Sequence, residues 1–237
     1  MQIIKRDERL LAACLLSMVG GFTDVYSYLF RGGVFANAVT GNVVIMGVRL
    51  VSDDFIGAWK CLCAMLAYGA GVFAANAIHA RFRHIRHVDW HQIVLWTEAT
   101  LLMVVMGLPC GSADLLAVTL ISFVCALQVQ TFRRIRGLPF ASTMCTGNLR
   151  SGAHAFYEWT SGANTESLAH ARHYAIVILT FMSGAMLGAV ILRAFGAHGF
   201  ILAPATLLAI SLVMHRRLPA RVRWLRKRLR TAIRRRT

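Results

Sequence analysis

The stretch Phe35-Ala36-Asn37-Ala38-Val39-Thr40-Gly41-Asn42 returns 106 residues later as Ala141-Ser142-Thr143-Met144-Cys145-Thr146-Gly147-Asn148. The number of crossings between the two copies decides the fold. Identity is strongest at Thr-Gly-Asn. Each copy follows an apolar segment that ends in an aromatic and basic turn, Tyr26-Ser27-Tyr28-Leu29-Phe30-Arg31-Gly32 before the first and Phe132-Arg133-Arg134-Ile135-Arg136-Gly137 before the second. Downstream, Tyr68-Gly69-Ala70 corresponds loosely to Ser183-Gly184-Ala185. This shared context points to an internal duplication.

The setting of the duplication is apolar. Of 237 residues 57% are hydrophobic and 15% charged, with mean hydropathy +0.57; a soluble domain carries about 25% charged residues. The apolar residues come in blocks long enough to cross about 30 Å of hydrocarbon. The net charge of +16 belongs to the tail: between His215 and Thr237 lie eleven Lys and Arg and no acid, and the remainder carries fifteen basic against ten acidic residues. In that tail Arg221, Arg223, Arg226, Lys227, Arg228 and Arg230 surround Val222, Leu225 and Leu229 at helical spacing. This is the composition of an interfacial helix on anionic lipid headgroups. No motif accompanies the charge that would make it a specific nucleic-acid reader. The six cysteines form no C-x-x-C pair and no zinc pattern, so they read as small apolar residues, and no metal or cofactor is expected. The N-terminal apolar stretch continues past Gly20 and Gly21 without a small-x-small cleavage site, which makes it a retained first helix.

Six stretches read as spanning helices: 10–30, 58–78, 92–108, 114–132, 173–192 and 200–214. Two more, 34–51 and 138–157, are polar in the middle, where a lipid-facing helix is most apolar. Basic residues cluster at Lys5, Arg6 and Arg9, at Arg81, Arg83 and Arg86, at Arg133, Arg134 and Arg136, and in the tail. Eight crossings place the two middle clusters outside; six, with both polar stretches re-entrant, place every cluster in the cytoplasm. The expectation is therefore an all-α integral protein of the bacterial inner membrane with cytoplasmic termini. It divides into a cytoplasmic N-terminus (1–9), membrane repeat 1 (10–108), membrane repeat 2 (109–214) and a basic cytoplasmic tail (215–237). Three crossings per repeat insert the second copy upside down, the inverted-repeat arrangement of many transporters and channels.

Gly21-Phe22-Thr23-Asp24-Val25, the two repeat segments, Ala126-Leu127-Gln128-Val129 and Arg133-Arg134 together resemble the YoaK family of small bacterial multi-pass membrane proteins. The likeness covers nearly the whole chain between the N-terminal basic residues and the tail. That family is uncharacterised, so the resemblance implies a membrane class and no activity. Its pattern is Gly-x-Gln-Asn where this chain has Ala126 to Val129, which excludes an amide at Val129.

The residues expected along a substrate path are Asp24, Asn37, Thr40, Gly41, Asn42, Gln128, Thr146, Gly147, Asn148 and Arg150. Gly41 and Gly147 would let the chain turn, and the freed backbone groups are tolerated only where they line a polar cavity or are buried in protein. The alternative is that Thr-Gly-Asn only stops a helix or packs two helices closely. Asp24 is expensive in hydrocarbon, on the order of 3 kcal/mol; it either binds a cation or proton, pairs with Arg150, or caps the re-entrant loop. Glu98, six residues into its span, is expected to snorkel to the interface. Gln128 and Gln130, two apart, point to different faces. Gly69 with Gly71 and Gly184 with Gly188 allow close helix approach, within one subunit or in a homodimer. No nucleophile and base, H-E-x-x-H or Walker loop is present, which disfavours an enzyme or a primary pump. A channel or secondary transporter for a small solute or ion is the expected function, with a structural or regulatory membrane protein as the alternative.

Overall fold

The computed structural model describes residues 6–85, 89–135 and 138–215. The tail residues Arg221, Arg223, Arg226, Lys227, Arg228 and Arg230, and Lys5, Arg86 and Arg136 of the basic clusters, lie outside the described residues. Eight helices follow one another: α1 (Arg6–Phe30), α2 (Val39–Val51), α3 (Phe55–Phe82), α4 (Trp90–Met106), α5 (Asp114–Thr131), α6 (Cys145–Thr160), α7 (Ser167–Phe195) and α8 (Leu202–His215). A 3₁₀ turn, Gly196–Ile201, joins the last two, and Arg134–Ile135 pairs antiparallel with Leu138–Pro139 in the loop after α5.

Four segments are long and apolar enough to cross a membrane: Leu10–Phe30, Phe55–Phe82, Asp114–Thr131 and Ser167–Val213. The last runs through α7 and α8 and so contains two of the expected crossings. Trp90–Met106 is apolar and, at 17 residues, about 25 Å long. The chain is a multi-pass membrane protein.

Local chemistry sets the joints. Asp54 accepts the Gly57 N–H at 2.9 Å to start α3, and Asp89 accepts the His91 N–H at 3.1 Å to start α4. Chain reversal after α1 falls on Gly32 (φ 85°) and Gly33 (φ 68°), left-handed conformations that glycine adopts without strain. Gly41 and Gly147 were expected to make such turns. They instead sit in the first turns of α2 and α6, because Gly32 and Gly33 have already reversed the first chain. Thr-Gly-Asn therefore opens a helix in each copy.

The helices pack in matching pairs. α1 lies on α7, with Gly184 against Met18 and Gly188 against Phe22, so the two run parallel. α3 lies on α5 in the same sense: Lys60 reaches Asp114, Gly71 meets Phe123, and Asn76 bonds Gln130. α2 packs on α3, α6 packs on α7, and α4 packs on both α5 and α8. The close approach offered by Gly184 and Gly188 is thus taken up by α1 of the same chain, whereas Gly69 is exposed and touches nothing. Leu16, Phe22, Leu95, Leu102, Ile121 and Leu207 centre the main apolar core.

Both short helices return toward the end from which their loops entered. Asn37, just before α2, donates from Nδ2 to the Gly20 carbonyl at 3.2 Å, ten residues inside α1. Arg49, at the other end of α2, donates to the Gly32 and Gly33 carbonyls at 2.7 and 3.3 Å, back beside the end of α1. Thirteen residues span only about 20 Å, too short for the hydrocarbon. The loop after α5 brings the Thr143 methyl against the same Gly20 backbone. From there α6 leads to the start of α7, where Ser167 Oγ donates to Glu158 at 2.7 Å. Ala13 and Val177 share one cluster, so the start of α7 lies by the start of α1, opposite the Arg49 end.

Arg31 closes the end where α1 finishes. It is fully buried, donates to the Tyr26 hydroxyl and to the carbonyls of Val105, Leu108 and Pro109, and lies 3.6 Å from Asp114. At the other end Gln92 and Ser211 join α4 to α8.

Candidate functional site

The two copies of the repeated motif build one local device twice. Asn42 Oδ1 accepts the Phe35 N–H at 2.9 Å, and Asn42 Nδ2 donates to the Phe35 carbonyl at 2.6 Å. Asn148 does the same to Ala141, at 3.4 and 2.7 Å. Each asparagine, in the first turn of a helix, satisfies both backbone groups of a residue seven positions earlier and so clamps the loop. Both are buried.

The clamped loops place Asn37 and Thr143, which correspond at the 106-residue offset, on Gly20. The Gly20 carbonyl accepts from Asn37 Nδ2 and from Thr23 Oγ1, while Thr143 packs its methyl on the same residue. A side chain at position 20 would occupy the space where the tips meet. Asn37 Oδ1 and Thr143 Oγ1 are buried with no hydrogen-bond partner. Buried polar atoms are nearly always paired, so these two orphans set the meeting point apart from the rest of the interior.

Around this point the two copies differ. Asp24, nearly buried on α1, accepts the Asn37 N–H at 2.8 Å. A carboxylate thus faces the start of α2, where aligned amides favour negative charge. Asp24 caps the loop, and Arg150 is exposed on α6. Beside the second tip stands the neutral Gln128, whose Nε2 donates to Ser142 Oγ at 2.8 Å and to the Leu16 carbonyl at 3.1 Å. Gln130 points away, to Asn76 of α3 at 2.7 Å.

The remaining expected path residues lie apart from the tips. Thr40, Thr146 and Gly147 are exposed on the outside of their helices, and Gly41 abuts the Phe35 ring. Glu98 differs most from its sequence reading. It does not snorkel: it is fully buried, because α4 is covered by α5 and α8, and neither carboxylate oxygen has a hydrogen-bond partner. The hydroxyls of Ser17 and Ser122 are likewise buried and unpartnered. Sequence reasoning passed over Thr143, although its alignment with Asn37 was the available signal. Among the described residues no group of three or more His, Cys, Asp or Glu is placed to hold a metal ion.

The family described as Protein of unknown function (DUF1275) matches residues 12–214. The UPF0700 transmembrane protein YoaK of Bacillus subtilis (strain 168) is 26% identical over 140 residues, covering 58% of this chain and 62% of that protein. The match thus spans about three-fifths of the relative's length. No solved structure matches. The chain belongs to the DUF1275 family.

Proposed function

We propose that this DUF1275 protein is a channel or secondary transporter for a small solute or ion, with its path through the point where Asn37 and Thr143 meet Gly20. The observation that carries the reading is the convergence of two equivalent, asparagine-clamped loop tips, each leaving a buried polar atom without a partner. Transporter sites are commonly built from discontinuous helices that begin near the middle of the membrane.

In this reading the chain crosses six times, as two inverted repeats of three crossings and one re-entrant segment each. Support comes from the packing, which is preserved when α1 to α4 are exchanged with α5 to α8: α1 with α7 becomes α5 with α3, α2 with α3 becomes α6 with α7, and α4 with α8 returns to itself. Opposite returns of α2 and α6 accord with segments that open to opposite faces. The basic clusters then face the cytoplasm of a bacterial cell, and the tail rests on anionic lipid.

Single cysteines in a background lacking native ones test both parts. His84→Cys labels from the cytoplasm, His198→Cys from outside, and Val39→Cys and Cys145 from opposite faces; labelling of position 84 from outside overturns the inverted topology. Asn37→Cys and Thr143→Cys react with a small charged thiol reagent if the meeting point is a hydrated path. A structural or regulatory role is the second reading, favoured by the full commitment of Asn42 and Asn148 to loop backbone, and it leaves positions 37 and 143 unreactive.

A further inference from the structure

Glu98 is fully enclosed, and both its oxygens lack a hydrogen-bond partner. The buried cation Arg31 is committed to Tyr26, to three carbonyls and to Asp114, and Lys60 is committed to the same Asp114. Among the described residues no ion pair to Glu98 exists. A carboxylate so placed either carries a proton or faces a bound cation, since an unpaired ionised group is strongly disfavoured away from water.

Polar groups also line the helices beside α4. The Cys125 sulfur of α5 is 3.7 Å from Thr23 Oγ1 of α1. The unpartnered Ser122 hydroxyl is one turn before Cys125 on the same face of α5, and the unpartnered Ser17 hydroxyl shares a face of α1 with Gly20 and Asp24. Orphaned hydroxyls therefore lie on both α1, which carries Gly20 and Asp24, and α5, which packs against α4.

We propose that Glu98 is a proton-binding site whose carboxyl takes up and releases H⁺, and that the proton is the coupling ion of the path through Gly20. Only an O–H bond forms or breaks, and the proton is exchanged with water by way of buried hydroxyls. Proton binding stands on the enclosure of Glu98; the coupling role rests on the transport reading. The other ionisable groups around α4 are few. α5 contributes Cys125 and the paired Asp114, and α1 contributes Asp24 and the Tyr26–Arg31 pair. α3 contributes Tyr68, the Asp114-paired Lys60 and His79, the last edge-on to Trp90. The 3₁₀ turn contributes the exposed His198, residues 202–213 of α8 contribute none, and His91 of α4 is paired with Asp89.

Infrared difference spectra of the full chain in lipid vesicles, recorded between high and low pH, test the site. The expected result is a protonated-carboxylic-acid C=O band that shifts in D₂O, disappears in Glu98→Gln and persists in Asp24→Asn. Absence of the band, or its survival in Glu98→Gln, overturns the proposal. Should Glu98→Gln fail to fold, Glu98→Asp must move the band, and an unmoved band overturns it equally. Exchange of Na⁺ for N-methylglucamine at fixed pH leaves the band unchanged; a band suppressed by Na⁺ identifies a metal cation instead and overturns the assignment. Dye-reported proton entry into vesicles under a pH gradient falls at least tenfold in Glu98→Gln. Entry through Glu98→Gln equal to that through the wild-type chain, with the wild-type band assigned to Glu98, removes the coupling role and leaves the proton site standing.

Discussion

The loop tip at Asn37 and the loop tip at Thr143 share a scaffold and differ in charge. Both are held by an asparagine in the first turn of the following helix, clamped on the backbone seven residues back, and both end on Gly20. The first is met by the carboxylate of Asp24, the second by the neutral amide of Gln128 and the hydroxyl of Ser142. The clamp is the same at both tips, while the residues facing them differ. The frame is thus symmetric and its linings are not, with a carboxyl at one tip only.

The largest expected effect tests the frame. Asn42→Ala and Asn148→Ala each strip two bonds from buried backbone and lower stability by about 3 kcal/mol, read by unfolding in mixed micelles; a loss at only one position breaks the equivalence. Next is the shared contact. Gly20→Ala drives a methyl into Thr143 and costs about 2 kcal/mol, and Thr143→Ala in the same chain restores most of it; absence of rescue means that the second tip does not reach Gly20. Smaller effects sharpen the difference in lining. Asp24→Asn keeps an acceptor for the Asn37 N–H but removes the charge from the start of α2, a change of about 1 kcal/mol; Gln128→Leu, which strips the bonds to Ser142 and Leu16, costs a similar amount. Least of all, Thr143→Val removes an orphaned hydroxyl and alters stability by less than about 0.5 kcal/mol, whereas a large loss would reveal a hidden partner.

The hydropathy blocks and the 106-residue offset were legible because span length and duplication leave periodic marks in sequence. The clamp was only half legible: Thr-Gly-Asn stood out, but a side chain bonding backbone seven residues away leaves no periodic signal, so Asn42 and Asn148 read as path residues. Thr40 and Thr146 share the motif yet face outward, since a helix turns each successive residue by 100° and places only part of any motif inward. Glu98 was misread for another reason. Its distance along α4 suggested a shallow carboxylate, but depth depends on which neighbours cover it, and the packing of α5 and α8 against α4 is set by residues more than fifteen positions away.

The glycine contacts have a mechanical corollary. Gly21 and Gly184 put the backbones of α1 and α7 directly against each other, and Gly71 does the same for α3 and α5. At these points backbone meets backbone, with no more than the Ala126 methyl beside Gly71, so neither pair can slide without steric collision. Each pair is therefore a closely fitted unit, with α4 packed against α5 and α8 beside them. The two pairs are joined where α1 meets α5, through the Gln128 bond to the Leu16 carbonyl, so moving one pair against the other breaks that bond.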